Sequence, residues 1–234
     1  MDYSKPTLIV ISGPNGAGKS THIESMLPDL FEGVRPFDRD LTRTNFEKEL
    51  KKENLSPEQL TIRSAEMMEN FLISKMDEAI KANQHFVLET PLSHPDYWKY
   101  IDRFDNKGYQ IQLNYLCLDK VKDCEMRVKQ RVKEGGHAVD ARTIKGVYEK
   151  NLEHINNYKD TFRIICLYDG SSKPKILVKL EDNKIVNALE SALKKNWIKN
   201  GLPSIYEMVS NYLLAQSKSL KEIPVVKKKQ GRKM

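Results

Sequence analysis

The sequence lacks any long apolar run, and none of its hydrophobic stretches approaches the ~20 residues that a membrane-spanning helix needs. Its first residues, Met1 to Pro6, also lack the apolar core of a signal peptide. Cysteine is scarce: Cys117, Cys124 and Cys166 are odd in number, and no pair has metal-ligand spacing. These absences argue against a membrane span, a disulfide framework and a cysteine-based metal site. They favour a cytoplasmic protein with free, buried thiols.

Net positive charge is nearly absent from most of the chain, although the formal net charge of the whole sequence is +7. Residues 218–234 carry +6 of this charge, which leaves +1 for residues 1–217. A nearly neutral body disfavours a nucleic-acid-binding groove. The lysine-rich end predicts a solvated, disordered tail, and the alternative is a weak, salt-sensitive attraction to nucleic acid or an anionic membrane.

What the sequence does contain is a phosphate-binding loop of the form G-x-x-x-x-G-K-[ST], the P-loop. An apolar run from Thr7 to Ile11 predicts a buried strand before it, and a helical pattern follows it. Glycines let the backbone wrap around phosphates, and the helix N-terminus adds a favourable dipole. We predict that Lys19 reaches the β- and γ-phosphates and that Ser20 binds Mg²⁺. The residues predicted to bind the nucleotide are Gly13, Pro14, Asn15, Gly16, Ala17, Gly18, Lys19, Ser20 and Thr21.

Helix and strand patterns alternate along the chain, which predicts an α/β fold. We expect a three-layer P-loop NTPase sandwich with a mostly parallel central sheet and C-terminal helices. A capping signal at Ser56 begins a long helix that ends near Asn83. The other expected elements include strands at 34–37, 86–88, 109–118, 162–168 and 175–180, and helices at 93–106, 183–197 and 203–217.

Acidic residues follow two of the predicted strands. Ligands collect at the carboxyl ends of parallel strands, so these acids are site candidates. Asp38, with Asp40 as the alternative, can take the proton of an acceptor hydroxyl, or either can be a surface acid in a turn. Glu89 ends an apolar strand, where an acid is unfavourable unless it faces a site. We expect Glu89 to hold Mg²⁺ through water or to hold a substrate hydroxyl, and we expect Thr90 to bind the substrate. The alternative for Glu89 is a structural acid.

Two arginines, Arg127 and Arg131, lie four residues apart on one helix face. The glycines at 135–136 and His137 follow as a predicted flexible loop. Arginines beside a hinge can close over phosphates and neutralise charge as the transition state forms. The alternative is a solvated basic face, because lysines share this helix, and His137 alone is a weak signal.

Together these segments resemble the zeta-toxin-like P-loop kinases, including bacterial proteins often labelled predicted ABC-type ATPases. The resemblance is carried by residues 13–21, by Phe86–Thr90 and by the Arg…Arg…Gly-Gly-His-x-Val segment at 127–139. It covers about residues 7–170. The last of these segments is the most discriminating, since P-loops occur in many families. Asp140 stands where the family commonly has proline.

The resemblance implies an ATP- and Mg²⁺-dependent kinase of a small hydroxyl substrate. Zeta toxins phosphorylate UDP-N-acetylglucosamine, so a nucleotide sugar is the implied acceptor class and an antitoxin-like protein an implied partner. Lys19 and Ser20 would bind phosphates and metal, and an aspartate at the second strand end would deprotonate the acceptor. Arg127 and Arg131 would clamp the phosphates. His137 is placed with the substrate-binding residues.

On this basis we expect a P-loop kinase domain at 1–200, a packed helix at 201–217 and the basic tail at 218–234. Two other functions stay open. An ATP hydrolase or switch NTPase acting on a partner protein would need an ABC signature loop or an apolar strand ending in Asp-Glu, and neither is found. A nucleic-acid end kinase would use the basic tail, but the nearly neutral body does not favour it.

Overall fold

The computed structural model describes residues 3–136 and 138–221. His137 and the part of the expected basic tail that follows Lys221 lie outside the described residues.

A seven-stranded sheet forms the centre of the molecule, in the order β2-β3-β1-β4-β5-β6-β7. The first five strands run parallel to their neighbours, and the last two are antiparallel. This confirms the α/β fold with a mostly parallel sheet. The strands are β1 Thr7–Ser12, β2 Phe37–Asp38, β3 Phe86–Glu89, β4 Gln110–Cys117, β5 Ile164–Asp169, β6 Lys175–Glu181 and β7 Lys184–Ala188.

Eight α-helices surround the sheet in the described part of the chain, with short 3₁₀ turns at 29–31, 95–97, 159–161 and 190–194. No helix among the described residues is both long and apolar enough to cross a membrane. The helices are α1 Lys19–Met26, α2 Arg39–Leu50, α3 Pro57–Lys81, α4 Trp98–Asp105, α5 Val121–Lys133, α6 Ala141–Asn157, α7 Asn196–Gly201 and α8 Pro203–Lys221.

The long helix α3 begins where the sequence predicts it. The Ser56 hydroxyl accepts a hydrogen bond from the Gln59 amide at 3.2 Å, and the Gln59 side chain accepts one from the Ser56 amide at 2.9 Å. This reciprocal pair satisfies two amides that the helix itself leaves unpaired. Pro57 occupies the first helical position, where its missing N–H has no consequence.

The central strands β1 and β4 bury both of their faces, so side chains of β1 alternate between two apolar clusters. Leu8 and Val10 join the cluster formed with α3, α4 and α6, whereas Ile9 and Ile11 join the cluster on the α1 side. All four are fully buried. Helices on both faces of the sheet give the three layers expected of this fold class.

The second strand is shorter than predicted, and it leads directly into a helix that the sequence analysis missed. β2 contains only Phe37 and Asp38, and α2 begins at Arg39. Asp40 therefore lies in the first turn of α2, and the prediction that it belongs to the strand end is wrong. The helix escapes pattern analysis because it is rich in charged residues and buries only Leu50.

The prediction of a helix over residues 183–197 is also wrong. Strands β6 and β7 form a hairpin, and its turn residues Asp182 and Asn183 have φ angles of 46° and 60°. Tight hairpin turns of this hand require positive φ at both positions, which Asn and Asp tolerate better than other side chains. After β7, a 3₁₀ turn and the short helix α7 occupy the rest of the predicted range.

Replacing Leu72 by alanine should lower the free energy of unfolding by about 3 kcal/mol, because this fully buried α3 side chain would leave a cavity against the sheet. Urea unfolding followed by circular dichroism measures the change. Ile62→Ala on the same helix is the control, since Ile62 is 52% exposed and should cost less than about 1 kcal/mol. Equal losses at the two positions would contradict this packing.

Candidate active site

The P-loop connects β1 to α1 and is shaped by two glycines in the left-handed region. Gly16 and Gly18 have φ angles of 80° and 98°, and a Cβ on Gly16 would collide with the carbonyl oxygen of Cys124 on α5. The loop is closed by a hydrogen bond from the Ala17 amide to the Pro14 carbonyl at 3.1 Å. α1 begins without a side-chain cap and without an acid in its first turn. Its first amides are therefore available to an anion.

Lys19, the first residue of α1, reaches across this loop. Its Nζ donates to the Gly13 carbonyl at 3.0 Å and lies 3.4 Å from that of Pro14. The same Nζ is 3.7 Å from Oε1 of Glu89, and both side chains are largely buried. The structure thus brings together the predicted phosphate-binding lysine and the predicted strand-end glutamate.

Glu89 lies at the carboxyl end of β3, in register with Ile11 on one side and Asp38 on the other. Burial raises the pKa of the Glu89 carboxyl, the neighbouring Lys19 ammonium lowers it in part, and repulsion from Asp38 and Asp40 raises it again; the net shift is upward. The carboxylate is therefore held in an environment that disfavours its negative charge.

The two aspartates occupy different positions at the start of α2. Asp38 caps the helix: its Oδ1 accepts a hydrogen bond from the Leu41 amide at 3.0 Å. Asp40 lies in the first helical turn and is exposed, and no residue of the described chain donates a hydrogen bond to its carboxylate. Of these two aspartates, only Asp40 has both carboxylate oxygens free of hydrogen bonds within the described residues.

A cavity of about 150 Å³ opens between the P-loop and α2. Three larger cavities lie elsewhere in the described structure: one of about 480 Å³ between α6 and α7, one of about 490 Å³ at the amino end of the sheet, and one of about 420 Å³ between Arg39 and α3. We identify the smallest one as the candidate site because charged side chains converge there. Among its lining residues are Gly13, Asn15, Lys19, Asp38, Asp40, Glu89 and Thr90, all predicted from the sequence.

Arg39 is a further cleft residue, and the sequence analysis does not single it out. Its guanidinium carbon lies 4.8 Å from the ring centre of Tyr97 and 5.1 Å from that of Tyr100. Its Nη2 is 3.8 Å from a carboxylate oxygen of Glu69. The position of Arg39 between two aspartates is the only sequence signal, because its aromatic contacts come from the distant 3₁₀ turn that contains Tyr97 and from Tyr100 in α4.

Arg127 lies at the P-loop, as the phosphate-clamp prediction requires. Its Nη1 donates to the Ala17 carbonyl at 3.2 Å, and its Nη2 donates to the Ser171 carbonyl at 3.3 Å. Arg131 lies one helical turn farther along α5, where its carbonyl accepts a hydrogen bond from the Gly136 amide. Arg127 thus contacts the P-loop carbonyl directly, whereas Arg131 is placed one turn away from it. His137, the third predicted residue of this segment, lies outside the described residues.

The donor groups of the cleft suit a magnesium ion that is shared with a nucleotide. No three His, Cys, Asp or Glu side chains within 3–136 and 138–221 are grouped so as to hold a metal alone. Mg²⁺ is commonly held by one or two protein oxygens together with phosphate oxygens and water. The Glu89 carboxylate lies in the cleft, and the hydroxyl of Ser20, which follows Lys19 in α1, is exposed; both are oxygen ligands of that kind.

Replacing Glu89 by glutamine should change how stability depends on pH. Because the folded-state pKa of Glu89 is raised, its contribution to stability is fully present below its unfolded pKa and is lost as pH rises through the folded one. The stability of Glu89→Gln relative to the native protein should thus be higher at pH 7 than at pH 4, as measured by urea unfolding. Glu66→Gln, at an exposed position, is the control. If the stability of Glu89→Gln relative to the native protein were instead lower at pH 7 than at pH 4, the raised pKa of Glu89 would be contradicted.

Comparison with solved structures supports the fold. A chain in the crystal structure of AvrRxo1-ORF1:AvrRxo1-ORF2 with sulphate ions matches with a TM-score of 0.63 and 14% identity, over 82% of this chain and 64% of that one. The complex with ATP gives a TM-score of 0.60 and 13% identity, over 88% and 63%. This chain therefore spans less than two thirds of the AvrRxo1 chains that it matches.

A chain of the PezAT chromosomal toxin–antitoxin system of Streptococcus pneumoniae matches over 88% of this chain and 87% of that one, with a TM-score of 0.59 and 18% identity. In sequence, an uncharacterized protein of Haemophilus influenzae is 25% identical over 140 residues, which are 60% of this chain and 91% of that protein. The zeta toxin family model matches residues 1–177, well over half of the sequence. The chain belongs to the zeta toxin family.

Proposed function

We propose that this protein is a kinase that transfers the γ-phosphate of ATP to a hydroxyl group of a small molecule. The observation that carries the proposal is the convergence of the P-loop, Lys19, Glu89 and the two aspartates at one cleft. Membership of the zeta toxin family supports it. Phosphoryl transfer needs mainly alignment and charge neutralisation, and these residue types supply both.

In this proposal, the amides of the P-loop and of the first turn of α1 bind the phosphates of ATP. Lys19 exchanges its contacts with the Gly13 and Pro14 carbonyls for the β- and γ-phosphates. Ser20 and Glu89 would hold Mg²⁺, which when bound neutralises charge on the phosphate oxygens. Arg127, already at the loop, and Arg131 would complete the clamp around the phosphates.

We assign Asp40 as the general base and Asp38 as the cap that positions it. Asp38 is occupied with the Leu41 amide, whereas the Asp40 carboxylate has no such partner in the described structure. The acceptor hydroxyl would give its proton to Asp40 while its oxygen forms a bond to the γ-phosphorus. The bond from that phosphorus to the bridging oxygen breaks, and ADP leaves with the electron pair. Thr90 and, by resemblance, His137 would contact the acceptor.

The acceptor class that we propose is a nucleotide sugar such as UDP-N-acetylglucosamine, on the strength of the family resemblance. Among the structural neighbours, one is named for a toxin–antitoxin system and another was crystallised with ATP. An antitoxin-like protein partner is part of the same proposal. ATP hydrolysis for a partner protein and phosphorylation of nucleic-acid ends remain the competing outcomes of the test.

Incubation with labelled ATP and Mg²⁺ separates these functions. We expect transfer of label to a component of a nucleotide-sugar pool, but not to nucleosides or oligonucleotides. Lys19→Ala should abolish transfer because the phosphates lose their cation, whereas Lys5→Ala, far from the cleft, should not. Phosphate release that needs no acceptor would favour a hydrolase, and labelled oligonucleotide an end kinase. Absence of ATP binding to the folded protein in calorimetry would refute the proposal.

Substitution of the two aspartates tests the assignment of the base. Asp40→Asn should lower kcat by about 10²- to 10⁴-fold while leaving the Kd for ATP unchanged, because only proton transfer is removed. Asp38→Asn should keep most of the transfer activity, since asparagine caps helices as well as aspartate does. Steady-state kinetics and calorimetry measure both. If transfer survives in Asp40→Asn and is lost in Asp38→Asn, the two roles are reversed.

A further inference from the structure

The segment between β7 and α7 returns to the carboxyl end of the sheet, although it lies beyond the residues that match the family model. Its Lys195 forms an ion pair with Asp169, the last residue of β5, with 2.5 Å between Nζ and Oδ2. The two side chains are only 20% and 15% exposed. An ion pair this well shielded holds its partners in place more firmly than an exposed one.

Asp169 shapes the turn that follows β5. Its Oδ1 accepts a hydrogen bond from the Ser171 amide at 3.1 Å, so one carboxylate binds both Lys195 and the turn. Burial raises the pKa of Asp169, but the hydrogen bonds from Lys195 and Ser171 lower it by more, and the net shift is downward. Asp169 therefore stays charged at neutral pH.

The same turn contacts the P-loop and its arginine. The Ser171 carbonyl accepts from Nη2 of Arg127, whose Nη1 donates to the Ala17 carbonyl. Gly170 also lies against Ala17, since a Cβ there would be 2.9 Å from that carbonyl oxygen. A continuous set of polar contacts thus runs from Lys195 through Asp169 and the turn to Arg127 and the P-loop.

The strand order indicates which half of ATP this set of contacts faces. The acceptor cleft lies at the ends of β2 and β3, on one side of β1, and β4 and β5 lie on the other. Attacking and leaving oxygens lie roughly in line across the γ-phosphorus. The rest of the nucleotide must then extend toward the ends of β4 and β5, where Arg127 and the turn after Asp169 are found.

We propose that Lys195 is a positioning residue for the nucleotide. Through Asp169 and the Ser171 carbonyl it holds Arg127 against the P-loop, and it thereby increases the affinity for ATP. The inference rests on the proposed function, because it assumes that ATP occupies the P-loop. The segment itself has a second attachment: Asp119 accepts hydrogen bonds from the amide and side chain of Asn196 at 2.6 and 2.9 Å. Loss of Lys195 should therefore leave the segment in place.

Calorimetry with ATP and Mg²⁺ on the full chain tests this role. Lys195→Met should weaken ATP binding about fivefold, a typical effect for a residue that acts through connected side chains. Lys194→Met makes the same chemical change at the neighbouring exposed position and should stay within about twofold of the native Kd. Lys195→Arg should bind ATP with the affinity of the native protein, because arginine can still pair with Asp169.

A double variant separates positioning from general destabilisation. If Lys195 acts through Arg127, the variant Lys195→Met with Arg127→Met should bind ATP no more weakly than Arg127→Met alone. Native affinity in Lys195→Met, or effects of the two substitutions that simply add, would overturn the inference while leaving the proposed function intact. Failure of the native protein to bind ATP would overturn both.

Discussion

The position of the P-loop depends on close packing against its two neighbours. On one side Gly16 lies against the Cys124 carbonyl of α5, at a distance that admits no Cβ. On the other side Lys19 crosses the loop toward Glu89 at the end of β3. The loop is therefore held by backbone contact and by charge before any ligand arrives, and its amides need little rearrangement to receive a phosphate. Preorganised donors of this kind are the main source of electrostatic stabilisation in phosphoryl transfer.

The charges around this loop are not well balanced in the free protein. Glu89 is buried beside the Lys19 ammonium group and the carboxylates of Asp38 and Asp40. Its pKa is raised because burial and the two carboxylates together outweigh the attraction of the single ammonium group. Burial of a charge is unfavourable unless partners compensate for it. A cation shared with nucleotide phosphates would lower the cost to Glu89 and would also screen Asp38 and Asp40. The unfavourable arrangement in the free protein is thus what a nucleotide-binding kinase site would require.

Local patterns predicted those parts of the fold whose signals lie close together in the sequence. The strand and helix that flank the P-loop, the capping box of α3 and the apolar runs of the central strands are of this kind, and the structure confirms these elements. α2 was missed because its charged surface has little apolar periodicity, and β7 because its register depends on pairing with β6. The contacts of the Arg39 guanidinium with the rings of Tyr97 and Tyr100 join residues about sixty positions apart, which no local pattern can reveal.

The end of the family match at residue 177 does not coincide with the end of the structure that supports the site. The chain after it completes the sheet with β7 and then returns to the ends of β4 and β5 through Asn196 and Lys195. Because the sheet edge that binds ligands is built from strand ends, a segment attached there affects the loops between them. A P-loop is common to many families, and the family segment carries its chemistry. The later segment lies outside both, and it is where Lys195, in the proposed positioning role, would adjust how tightly Arg127 is held.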